Sequence, residues 1–133
     1  MKAVFADTFY FLALLDSREK RHRQAVAVSR DAALRLVTTE WVLAEFADAY
    51  SHPKDRADFV SLYRALANHP RVKILPADSR RFRQGVDFFE ARSDKNWSLT
   101  DCLSFLAMRD EEIAEALTGD KHFEQAGFVA LLK

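Results

Sequence analysis

In the stretch "KAVFADTFYFLALL", Asp7 puts a carboxylate in the middle of an otherwise apolar run. Aspartate is a good helix N-cap, and taken alone that role accounts for it. Glu45 is harder to dismiss. On the helical stretch "TEWVLAEFADAY" it shares a face with Trp41 and Val42 one turn back and Ala49 one turn on, so its carboxylate should point along a largely apolar stripe. A carboxylate there needs a partner, and no lysine or arginine occurs from Thr38 to Ser51. The partner must come from elsewhere in the chain. Asp101 in "SLTDC" closes a capping box with Ser98, yet it also heads a face that runs on through Phe105 and Met108. Asp120 follows "EALTG" and precedes "KHFEQ", once more an N-cap position. Glu40 and Asp48 read as solvated helix charges, although Asp48 lies one turn from Glu45.

The elements that must position these acids alternate in type. "KAVFA", "LRLVT", "RVKILP", "EALTG" and "FVALL" read as short buried strands. "TFYFLALL", "REKRHRQAVAVSRDAA", "TEWVLAEFADAYS", "DRADFVSLYRALAN", "SRRFRQGVDFFEAR", "LTDCLSFLAMRDEE" and "DKHFEQ" read as helical. Alternation of this kind predicts an α/β fold with right-handed crossovers and a mostly parallel sheet covered on both faces. Ligands of such sheets bind beyond the carboxyl ends of the strands, where Asp7 and Asp120 are placed. Four carboxylates gathered there would repel one another and raise one another's pKa values unless a cation neutralised them. Mg²⁺ or Mn²⁺, which take oxygen ligands, suit the task. Zinc does not: His22, His52, His69 and His122 lack the spacing of a zinc site and read as surface residues, with His122 alone near the acids. Cys102 has no companion thiol.

Composition narrows the function classes. A chain of 133 residues, 49% hydrophobic with 11 phenylalanines, is expected to be one folded domain spanning 1–133 that buries about two-thirds of its unfolded surface. Lysine plus arginine balances aspartate plus glutamate at 20 each, so no whole-molecule field points to a nucleic acid or membrane. Three glycines leave no room for a glycine-rich phosphate loop. Asp7 interrupts the only stretch that imitates a signal peptide, no run reaches the ~18 apolar residues of a membrane span, and one cysteine suits a reducing compartment. A cytoplasmic location is the expectation.

The four acidic segments, "FADTFYFLAL", "TTEWVLAEFADAY", "WSLTDCLSFLAM" and "ALTGDKHFEQAGF", resemble in order the motifs of PIN-domain ribonucleases. The resemblance covers essentially the whole chain and is greatest to the VapC-type toxins of bacterial toxin–antitoxin pairs. It implies a PIN-like three-layer fold with a central parallel five-stranded sheet flanked by helices. It implies further a homodimer, a small antitoxin that blocks the site, and hydrolysis of RNA with Mg²⁺ or Mn²⁺, leaving a 5′ phosphate and a 3′ hydroxyl. By the same match Asp7, Glu45, Asp101 and Asp120 would be the metal ligands. Thr8 and Thr100 stand at motif positions where a hydroxyl can bond a ligand, a water or a phosphate oxygen. Two positions depart from the pattern: Phe9 is bulky where many relatives carry a small residue, and Asn96 stands where some have another acid.

With zero net charge, RNA would have to be held by local basic surface. Arg18, Lys20, Arg21 and Arg23, then Arg80, Arg81 and Arg83, then Arg92 and Lys95 are the candidates, although solvated helix faces explain "RRFR" as well. Trp97 would either stack a base or pack in the core. Two other classes compete with a metal-dependent nuclease. A receiver or haloacid-dehalogenase-like phosphoryl-transfer domain wants a second acid near Asp7, where this chain has Thr8 and Phe9. A non-catalytic PIN-like RNA- or partner-binding module has no need of four clustered like charges, which cost stability.

Overall fold

The computed structural model describes residues 1–133. Five strands, β1 (Lys2–Ala6), β2 (Leu34–Thr39), β3 (Val72–Leu75), β4 (Glu115–Leu117) and β5 (Val129–Ala130), form one parallel sheet in the order β3-β2-β1-β4-β5. Seven helices flank it: α1 (Thr8–Leu15), α2 (His22–Ser29), α3 (Glu40–Asp48), α4 (Arg56–Ala67), α5 (Ser79–Ala91), α6 (Leu99–Asp110) and α7 (Lys121–Gln125). The three-layer α/β arrangement is the one expected. No helix is long and apolar enough to cross a membrane.

Central position explains the composition of β1. It has neighbours on both sides and helices over it, so Val4, Phe5 and Ala6 are fully buried. Around this strand Phe105 and Phe123 meet edge to face with centroids 5.0 Å apart, and Phe11 stacks on Phe46 at 5.3 Å. Trp97 joins the same packing. It is 4% exposed, lies edge-on to Phe105 at 5.0 Å and donates from Nε1 to Gln125 Oε1 at 3.0 Å. It serves the core and offers no face to a base.

Several elements are shorter than their patterns suggest. The second helix begins at His22 rather than Arg18, because the Asp16 carboxylate accepts both the Arg18 amide and its guanidinium and holds that segment in a turn. It stops at Ser29, where Asp31 forms a local turn by accepting from the Ala33 amide. β4 and β5 shrink to the residues that find a partner strand.

His22 is half-buried rather than a surface residue, its Nδ1 lying 2.8 Å from the Ala13 carbonyl oxygen and so tying α2 to α1. Gly85 allows α5 to lie on α6, since a Cβ there would stand 2.4 Å from Leu103 Cδ2.

Candidate active site

Strand register brings the first contact about. Ala6 of β1 pairs with Leu117 of β4, so the residues just beyond the two carboxyl ends, Asp7 and Thr118, stand side by side. Thr118 is fully buried, and its hydroxyl donates to Asp7 Oδ2 at 2.9 Å. Thr118 Oγ1 in turn accepts the Asp120 amide at 3.1 Å. One hydroxyl thus couples two of the acids. Asp7 holds the N-cap position of α1, yet its side chain makes no capping hydrogen bond; it is turned toward Thr118 instead.

On the other side, β2 runs straight into α3. Thr39 caps that helix by accepting from the Val42 amide at 3.1 Å, and Thr38 donates to the Ala6 carbonyl at 2.8 Å, clamping β2 to β1. Glu45 is then carried to Thr8, whose hydroxyl donates to Glu45 Oε1. The partner the Glu45 carboxylate needed is therefore a hydroxyl from α1. Its surroundings differ from the apolar stripe anticipated: Glu45 and Ala49 are exposed and only Val42 of that face is buried, because α3 leans its Val42, Leu43 and Phe46 side on the core. Asp48 makes no hydrogen bond to the cluster, and Glu40 instead accepts the Ala77 amide at 2.7 Å.

Asp101 and Asp120 both perform the capping roles that their sequence positions suggest. Ser98 and Asp101 form a complete capping box at α6, and Asp120 Oδ1 accepts the His122 amide at 2.9 Å to cap α7. Capping and clustering are compatible here. Each cap uses one carboxylate oxygen, Oδ2 of Asp101 and Oδ1 of Asp120, and Glu45 likewise uses only Oε1. The second oxygen of all three is open to a cation.

His122 is the main surprise. Expected at the surface, it is half-buried, with Nδ1 3.0 Å from Asp101 Oδ2 and 3.6 Å from Asp120 Oδ1. Asp101, Asp120 and His122 each offer a donor atom within 4.8 Å of the others. Bonds therefore link the acids in series, Asp7 through Thr118 to Asp120 and through His122 to Asp101, with Glu45 joined to the adjacent Thr8. Thr100 is half-buried and makes no hydrogen bond.

Burial dominates the electrostatics of Asp7. Burial pushes the Asp7 carboxyl up to about 7, with the nearby Asp101 and Glu45 carboxylates adding to the rise against the Thr118 hydroxyl and the Thr8 amide, which lower it. A group so placed is a strong site for a positive charge. Cys102, next to Asp101, is buried and its thiol is pushed up by that burial, which removes it as a nucleophile.

Phe9, the bulky departure, is accommodated by Gly119 between Thr118 and Asp120. A Cβ at Gly119 would meet Phe9 Cζ at 2.6 Å and the Leu132 carbonyl oxygen at 2.8 Å. The second obstacle is backbone and cannot rotate away. Gly119→Ala is expected to destabilise by ~1–3 kcal/mol, read by urea denaturation, and to lower divalent-ion affinity by shifting Asp120.

The sequence reading of the site omits Thr118 and places His122 near the acids only as a surface residue. The segment "TGDKHF" contains both, but nothing in it says that Thr118 would face Asp7, 111 residues away.

Known proteins share the fold. No curated protein matches the chain. Among solved structures it is similar to Mycobacterium tuberculosis VapC20, a Sarcin-Ricin loop cleaving toxin, with 23% identity over 98% of this chain and 99% of that one and a TM-score of 0.85. It is also similar to VapBC2 from Rickettsia felis, bound to a DNA fragment from their promoter (11% identity, 96% of each chain, TM-score 0.68). FitAcB from Neisseria gonorrhoeae resembles it too (16% identity, 98% of this chain and 96% of that one, TM-score 0.64). The profile of the PIN domain matches residues 4–129, and the chain belongs to the PIN domain family.

Proposed function

We propose that residues 1–133 form one nuclease domain, a divalent-metal-dependent endoribonuclease that acts as the toxin of a type II toxin–antitoxin pair. The observations that support this reading are the grouping of Asp101, Asp120 and His122 within 4.8 Å and the Thr118 hydroxyl that ties Asp7 to the Asp120 amide, with Glu45 held by the neighbouring Thr8. These residues fit Mg²⁺ or Mn²⁺, since carboxylate oxygens are the donors such ions take. When bound, one or two such ions would neutralise a phosphodiester and activate water for in-line attack.

The residues of the chain supply the rest. Thr118 and Thr8 fix Asp7 and Glu45, and the α6 and α7 caps fix Asp101 and Asp120, so the pocket is preorganised. Arg18, Arg81 and Arg92 are engaged by Asp16, Asp78 and Asp94. Lys20, Arg21, Arg23 and Lys95 carry no ion pair and are the residues available to RNA phosphates, Arg80 and Arg83 lying on α5. A cytoplasmic site of action follows from an RNA substrate.

A homodimer is supported by α5. Its Phe82, Val86 and Phe89 form an exposed stripe at helical spacing, 43%, 41% and 47% exposed, beside half-buried Trp41. The helix carries Arg80, Arg81 and Arg83 near its amino end and Asp87 and Glu90 near its carboxyl end, the reverse of what its own dipole favours. Two copies of α5 packed antiparallel about a two-fold axis set the basic half of each against the acidic half of the other and cover the stripe. Val86→Glu is expected to convert dimer to monomer in sedimentation velocity; a parent already monomeric at micromolar concentration would overturn this interface. A small antitoxin partner is part of the same proposal, resting on the VapC-type likeness.

The test is cleavage. The purified chain is incubated with RNA, including a sarcin–ricin loop oligonucleotide, in Mg²⁺, Mn²⁺ or excess EDTA, and the product ends are mapped. Metal-dependent cuts with 5′ phosphates are expected. Cutting that persists in EDTA, or products ending in 2′,3′-cyclic phosphates, would overturn the proposal.

A further inference from the structure

We infer that His122 is a nitrogen ligand of the metal centre and gives it a preference for Mn²⁺ over Mg²⁺. The inference rests on the metal-dependent reading above and deepens it, because a nitrogen donor adds to the site a preference for a transition ion that carboxylates alone supply only weakly.

The ring is placed by the backbone. Asp120 Oδ1 accepts the His122 amide at 2.9 Å, and this cap turns the start of α7 so that the imidazole lies over the two aspartates. Nδ1 then has one hydrogen-bond partner, Asp101 Oδ2 at 3.0 Å, with the Asp120 carboxylate oxygen beyond it at 3.6 Å. His22 shows the contrast in partner: its Nδ1 meets a neutral backbone carbonyl, that of Ala13, whereas His122 Nδ1 faces carboxylates. The His122 side chain keeps 21% exposure, so solvent ions reach it.

The distances suit coordination. Adjacent donors on an octahedral ion with bonds of ~2.1 Å stand ~3.0 Å apart, close to the His122–Asp101 separation of 3.0 Å. An ion entering beside the three groups displaces the proton that Nδ1 donates to Asp101 and leaves the ring in the tautomer whose Nδ1 lone pair faces the ion. Mg²⁺ prefers oxygen alone, whereas imidazole suits first-row transition ions.

The experiment uses the whole chain with Mn²⁺ as the probe. Electron spin-echo modulation of protein-bound Mn²⁺ is expected to show directly bonded ¹⁴N that changes to the ¹⁵N pattern on labelling with ¹⁵N-histidine, and to vanish in His122→Gln. By titration, that variant should lose Mn²⁺ affinity by more than the ~100-fold at the top of the range for residues that only orient a ligand, while its Mg²⁺ affinity stays within about twofold of the parent. Bound Mn²⁺ without nitrogen modulation in the parent overturns the inference and leaves the nuclease reading intact. Equal losses for both ions overturn it too, reducing His122 to a positioning role. Failure of the parent to bind Mn²⁺ overturns both readings at once, and the parent spectrum decides whether or not the variant folds.

Discussion

Asp7→Asn is expected to abolish RNA cleavage while raising the melting temperature of the metal-free protein at pH 8. The two effects have one cause. Asp7 is 7% exposed, and its carboxyl is pushed up to about 7 from an ordinary 3.8, so the folded state holds the proton more tightly than the unfolded state does. Its contribution to stability is present in full below about pH 4 and is lost as pH rises through about 7. A difference of roughly three pKa units corresponds to about 4 kcal/mol. At pH 8 the parent carries that cost and the neutral, near-isosteric asparagine does not. Thermal melts in EDTA should show the variant ahead by roughly 10 °C at pH 8, with the gap closing by pH 4. A gap independent of pH would show that some other feature of the substitution is responsible. Saturating Mn²⁺ should reverse the order, stabilising the parent by mass action and the variant little. For cleavage, loss of a ligand should exceed the ~100-fold that marks the upper range for residues that merely orient one. A variant that cuts as fast as its parent would refute the metal role of Asp7.

Thr118→Val tests the network rather than the ligands. Valine keeps the shape of threonine but removes a buried hydroxyl that donates to Asp7 Oδ2 and accepts the Asp120 amide. Leaving those groups unpaired in the interior should cost about 1–3 kcal/mol, measured by chemical denaturation. Asp7 loses the hydrogen bond that lowers its pKa, so its ionised form becomes harder to reach. Divalent-ion affinity and cleavage should both fall by ~10–100-fold. Thr118→Ser keeps the hydroxyl and should recover most of both. If valine and serine behave alike, Thr118 only fills space and the coupling of Asp7 to Asp120 runs by another route.

The two substitutions separate what a reading of the chain could reach. Asp7, Asp101 and Asp120 were visible because the signals around them are local: a strand pattern ending, a capping box, a turn before a short helix. The exposed surroundings of Glu45 were not, since periodicity shows which residues share a helix face but not which face the rest of the protein covers. Trp97 posed the same problem in reverse. Its neighbours Phe105 and Gln125 arrive from α6 and α7, and only their arrival makes it a core residue.

The chain by itself determined the five strands, the alternation with helices, the parallel sheet and the placing of acids at strand ends, because these follow from hydrophobic spacing and capping chemistry over a few residues. Tertiary structure alone decided that Thr118 meets Asp7, that Thr8 reaches Glu45, and that His122 leans over Asp101 and Asp120. Those contacts join residues 111, 37 and 21 positions apart. They depend on strand register and helix seating, which are properties of the whole packed sheet and leave no local mark.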